Sequence, residues 1–128
     1  MNPSWKPHGY TSVAPYLVVN GAQRLLDFLV EVFDAEPLRR YEGPDGKLVH
    51  AEARVDDTVV MFADAAGDYQ PMPVNVHVYV SDVDAVFQKA VRAGGTVVQE
   101  PKQQDDPDKR GGVTDPTGIT WWIATQVS

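Results

Sequence analysis

The chain has 128 residues, no cysteine, a formal net charge of -7 and 43% hydrophobic residues. That length suits one compact domain with a modest core, and the 23% charged fraction is ordinary for a folded protein. The lack of cysteine excludes a disulfide framework, a thiolate nucleophile and a thiolate metal site, and the acidic balance without a basic stripe argues against nucleic acid.

Met1 to Ser12 holds no continuous apolar stretch, so no leader is expected. No later segment approaches the roughly 20 apolar residues that cross a bilayer. These features predict a soluble cytoplasmic domain, a setting compatible with the missing cysteines, with no nucleic-acid and no membrane partner.

In chain order, the strand-like Leu17-Val18-Val19-Asn20 leads into an amphipathic run of Ala22, Leu25, Leu26, Leu29, Val30 and Phe33. The i, i+3, i+4, i+7 spacing places these on one helical face. Asn20 and Gln23 stand where a cap and its reciprocal partner would sit, and the helix is expected to stop at Asp34. Glu36 to Tyr41 is a strand leading to the turn Gly43-Pro44-Asp45-Gly46. Leu48 to Val55 alternates, with Val49, Ala51, Ala53 and Val55 on one face and His50, Glu52 and Arg54 on the other. Asp56-Asp57 turns the chain into a strand over Thr58 to Ala63, and Asp64 to Pro73 is a connector.

The second half repeats this order. Val78-Tyr79-Val80-Ser81 precedes Val83, Val86, Phe87, Ala90 and Val91, each 61 residues beyond its counterpart from Ala22 to Val30. Ser81 and Asp84 repeat the cap pair at the same offset, and Gly94-Gly95 should stop the helix. Strands follow at Thr96 to Glu100, Arg110 to Thr114 and Ile119 to Thr125, with Asp115-Pro116-Thr117-Gly118 as a turn. Lys102 to Lys109 reads as a solvated polar loop. Apolar phase and cap coincide at one offset, which marks a duplication.

Paired strand-helix-strand-strand-strand units of this size resemble the vicinal oxygen chelate superfamily, which includes glyoxalase I, bleomycin-resistance proteins and dioxygenases. The PhnB-like branch is the finer likeness. It is carried by Gly9-Tyr10, Pro15 to Ala22, Leu26-Asp27-Phe28, Phe33 to Glu36, Pro44 to Lys47, His50-Ala51-Glu52, Val78 to Ala85, Arg110-Gly111, Asp115-Pro116, Gly118 and Trp121. The resemblance implies an α+β fold in one domain over residues 1–128. Two tandem βαβββ modules, about 12–64 and 74–126, would form a curved open mixed sheet around a cavity, with helices on the outer face. It also implies a homodimer, with or without exchange of modules.

Metal-dependent members hold their cation on the first and last strand of each module. The resemblance maps those positions to Ala14, Phe62, Asn75 and Trp122, a set with no strong ligand. The expected function is therefore metal-independent binding of a polar or cationic aromatic compound, of the bleomycin-resistance type and with a role in antibiotic resistance. The expected ligand-binding residues are Tyr16, His50, Glu52, Arg54, Phe62, Asn75, His77, Tyr79 and Trp122. The alternative is a lyase, isomerase or dioxygenase with Zn, Ni, Fe or Mn relocated to His50, Glu52 and His77. No catalytic residue is assigned. A serine nucleophile and a glycine-rich phosphate loop are set aside for want of their motifs.

Overall fold

The structure, a computed structural model, describes residues 5–128, so the leader-free reading of Met1 to Ser4 lies outside the described residues. Helix α1 (Ala22–Phe33) buries Ala22, Leu25, Leu26, Phe28, Leu29 and Val32, and α2 (Val83–Arg92) buries Val83, Phe87 and Ala90. Val30, expected inside, is exposed, because the buried stripe of α1 is turned toward Phe28 and Val32. Each helix is part of a βαβββ module. Module one adds β1 (Tyr16–Val19), β2 (Glu36–Glu42), β3 (Leu48–Val55) and β4 (Thr58–Asp64). Module two adds β5 (Asn75–Tyr79), β6 (Thr96–Gln103), β7 (Asp108–Thr114) and β8 (Thr120–Gln126).

Each module builds its own four-stranded mixed sheet, in the orders β1-β4-β3-β2 and β5-β8-β7-β6. In both, the first strand runs parallel to the last, and the other neighbours are antiparallel. A helix covers one face of each sheet, and the two cores are continuous. Phe33 of α1 meets Trp121 of β8 with ring centroids 5.4 Å apart.

Neither expected helix cap operates as such. α1 starts after Gly21, whose φ of 97° suits a residue without a side chain. The Gly21 and Ala22 N–H groups donate to Asp64 Oδ1 at 3.0 and 2.8 Å. Asp82, not Ser81, caps α2 and accepts from the Ala85 N–H at 3.1 Å. Thr125, 61 residues beyond Asp64, accepts from the Val83 N–H at 2.9 Å. A side chain at the end of the last strand thus ties down the start of the helix in both modules, which satisfies orphan donors that a local cap would otherwise take.

The register corrects two further expectations. Phe62 pairs with Ala51 and Leu17, so it lies on the helix-covered face and is fully buried in the core rather than facing a cavity. The side chain on the open face is Met61, the partner of Tyr16 and Glu52. Met61 is also the residue 61 positions before Trp122, which pairs with His77 in the equivalent place. At the start of β3 a bulge opposite Tyr41 and Glu42 shifts the alternation, so Leu48 is buried and Val49 exposed.

The turn after β7 anchors the core. Asp115, 4% exposed, accepts from the Thr117 N–H and hydroxyl on Oδ1 and from the Trp121 indole N–H on Oδ2 at 2.7 Å. Asp115→Ala is expected to leave that buried indole donor unpaired and lower stability by about 3 kcal/mol. A urea titration checks this; an unchanged midpoint would show that the turn stands without the carboxylate.

Candidate functional site

The sheet face away from the helices carries most of the polar and aromatic residues expected to bind a ligand. On module one, β3 presents His50, Glu52 and Arg54, and His50 reaches Tyr16 of β1 across β4. Glu52 is 2% exposed, with His50 Nε2 2.7 Å from its Oε2 and the Tyr10 hydroxyl donating to its Oε1. Burial pushes the Glu52 carboxyl up, but the His50 and Tyr10 hydrogen bonds together outweigh it and hold the group below its usual range. The reciprocal effect raises Tyr10, chiefly through its bond to Glu52 and then through burial. His50 stacks on Tyr41 at 6.1 Å and lies 5.7 Å from the Tyr16 ring, and its Nδ1 is 3.3 Å from the Tyr16 hydroxyl.

Tyr10 was missed as a site residue because it belongs to no periodic element. Arg54 brings it in: the guanidinium donates to the Gly9 carbonyl at 3.3 Å and pairs with Glu36 at 2.7 Å. Arg39 lies over the Tyr10 ring at 5.4 Å. Arg54 is thus a clamp on the segment before β1.

On module two, Trp122 of β8 lies against Gly112 of β7. A Cβ on Gly112 would come within 2.6 Å of the indole, so the close approach needs glycine. The indole N–H donates to Asn75 Oδ1 at 3.0 Å. His77 meets Tyr79 edge-on at 4.7 Å. Tyr79 donates to Asp108 at 2.6 Å, and Arg110 donates to Asp108, Asp106 and His77 Nε2 at 2.9, 3.1 and 3.1 Å. Burial first, then the Arg110 charge, holds the His77 imidazole below its ordinary value despite nearby Asp108 and Asp106. Its bond to Asp108 raises Tyr79. Asp106 is lowered by the Asp108 backbone N–H and by Arg110.

The segment Lys102 to Lys109 is not simply a loop. β6 runs to Gln103 and β7 starts at Asp108, and Asp106 and Asp108 fasten Arg110 to the open face. Its solvated composition concealed a role that depends on cross-strand partners. With Gln99, Lys102 and Trp122 it borders a recess of about 450 Å³. A second recess, of about 470 Å³, lies wholly in module one beside Tyr16 and Val18. A third recess, of about 370 Å³, lies between the modules, with Pro15, Val55 and Val60 on one side and Val76, His77 and Tyr79 on the other.

The family model of the glyoxalase/bleomycin resistance protein/dioxygenase superfamily matches residues 10–123. The chain belongs to this superfamily. The uncharacterized protein Mb0911c of Mycobacterium bovis is 40% identical over 127 residues, covering 91% of this chain and 84% of its own. The solved structure of TioX from a Micromonospora species has a TM-score of 0.77 at 25% identity, with 91% and 99% of the two chains covered. The PhnB protein of Bacillus cereus has a TM-score of 0.75 at 17% identity over 90% and 99%, a likeness of fold.

The superfamily's metal chemistry finds a poor donor set here. The open-face residues of β1, β4, β5 and β8 include Tyr16, Met61, Asn75, His77, Tyr79 and Trp122; only His77 is an ordinary transition-metal ligand, and its Nε2 accepts from Arg110. Among the described residues no three His, Asp or Glu side chains are placed to hold an ion. The relocated set of His50, Glu52 and His77 is corrected accordingly: His50 and Glu52 meet, while His77 stands on the other sheet.

A histidine kept neutral by the fold is protonated first in the unfolded chain, so its contribution is full above about pH 6.5 and is lost as pH falls through the lower folded value. The wild-type urea midpoint is therefore expected to drop on acidification from pH 7 to 5 more steeply than that of His77→Gln. Parallel curves for the two proteins would contradict the assigned environment of His77.

Proposed function

We propose that the protein binds a polar or cationic aromatic small molecule on the open face of module two, without a metal ion, and sequesters it through affinity alone. The observation that carries this reading is Trp122, laid on Gly112 and fixed by Asn75 beside a recess large enough for a small organic ligand. A fixed indole offers a stacking face at little cost in side-chain freedom. Arg110 pairs with Asp106 and Asp108, so the rim charges beside the indole are balanced and the recess offers a polar border. The net charge of -7 draws cations toward it. Family membership supports the class of ligand, since members of the superfamily typically bind small molecules. Sequestration of an antibiotic would give resistance by this route.

We also infer a homodimer. Members of the superfamily typically form dimers, which supports this reading. Light scattering is expected to give twice the chain mass of 14.1 kDa; a monomer at micromolar concentration would contradict this. No helix is long and apolar enough to cross a membrane.

A thermal-shift panel of planar aromatic cations and cationic glycopeptides tests the binding reading. At least one member is expected to stabilise the wild type, with Trp122→Ala weakening its affinity about tenfold and Gly112→Ala weakening it by displacing the indole. Failure of every member, or equal binding by Trp122→Ala, would overturn it.

A further inference from the structure

The open face of module one carries a chain of proton-bearing groups that ligand stacking on module two leaves unused. Glu52 is buried and engaged on both oxygens, by the Tyr10 hydroxyl and by His50 Nε2. A carboxylate held ionised can only accept, so Nε2 carries the ring proton and Nδ1 offers a lone pair. Tyr16 Oη lies 3.3 Å from that Nδ1. Tyr41, stacked on the imidazole, holds its plane. Tyr16 also borders the recess of about 470 Å³, whose lining joins apolar Val18, Leu48 and Ala63 to the charged Asp45, Lys47 and Asp64; the Asp64 carboxylate is taken up by the Gly21, Ala22 and Leu48 N–H groups.

We propose that Tyr16, His50 and Glu52 form a proton-transfer centre that enolises a carbonyl compound whose apolar body is seated in this recess. Tyr16 Oη takes the proton from the carbon beside the carbonyl while its own hydroxyl proton passes to His50 Nδ1. The C–H electron pair becomes the C=C bond of the enolate, and the carbonyl oxygen takes the negative charge on the side of the Lys47 ammonium. Glu52 holds the imidazolium that results, the role a buried carboxylate plays beside a catalytic histidine. Return of the proton to oxygen gives the enol and to carbon the ketone, so the cycle consumes nothing. Tyr16 touches the substrate; His50 is the proton store, and Glu52 and Tyr41 are positioning residues. Val18, Leu48 and Ala63 seat the substrate's apolar body.

Phenylpyruvate, with an aromatic body and an acidic carbon beside its carbonyl, is the probe. Loss of its benzylic proton signal in deuterated buffer, followed by NMR, is expected to run about a hundredfold above the buffer rate with wild-type protein. A chelator should leave that rate unchanged. Tyr16→Phe and His50→Gln should bring kcat close to the buffer rate with KM changed by a few-fold at most, and both should melt cooperatively, since neither side chain is in the core. Exchange at the buffer rate with wild type, an unaffected rate in Tyr16→Phe, or loss of exchange with chelator would each overturn the proposal. Module two's recess takes no part in this step, so the result is separable from the test of binding at Trp122.

Discussion

The parallel pairing of each module's first strand with its last governs everything on the open faces. It brings residues more than 40 positions apart into lateral contact and fixes their register: Tyr16 beside Met61, His77 beside Trp122. Side-chain direction in a strand has a period of two, so a slip of one residue would exchange the core for the open face. Asp64 and Thr125 reinforce the register, because each ties the end of the last strand to the start of the helix that connects the first two strands. The helix face then packs as core, and the opposite face is left for chemistry.

What the open faces hold differs between the modules although their backbones correspond. Module one has a buried carboxylate at its centre, with hydroxyl and imidazole groups around it. Module two has an indole on a glycine, with charged groups paired off at the rim. A duplicated scaffold needs to keep only its core phase and its register. The two faces can therefore diverge, and here one suits proton transfer while the other suits stacking.

Most of the fold was legible in the sequence because helix and strand periodicities survive in a short chain. The 61-residue offset, both helices, the long strand Leu48–Val55 and the turns at Gly43–Gly46 and Asp115–Gly118 all follow from local patterns. The offset also held the key to Phe62. Applied to Trp122 it points to Met61, and mapping the last strand one residue later put a core phenylalanine on the open face. The caps were misplaced for a different reason: Asn20 and Ser81 are competent cap residues, but Asp64 and Asp82 reach the orphan amides instead.

The site was less legible than the fold, since its geometry comes from contacts across strands. His50, Glu52, His77, Tyr79, Asn75 and Trp122 could be assigned to a face from alternation alone. The hydrogen bonds that set their protonation could not, because Tyr10, Asp106 and Asp108 lie outside the strands expected from the sequence and meet their partners only across the fold. The central claim is that the module-two face receives the ligand. Two-dimensional NMR of the tryptophan indole N–H groups, with the strongest aromatic cation from the binding panel, tests it most directly. The Trp122 signal should shift with saturation while that of buried Trp121 stays in place. A response confined to Trp5 or Trp121, or none at saturating ligand, would contradict the account.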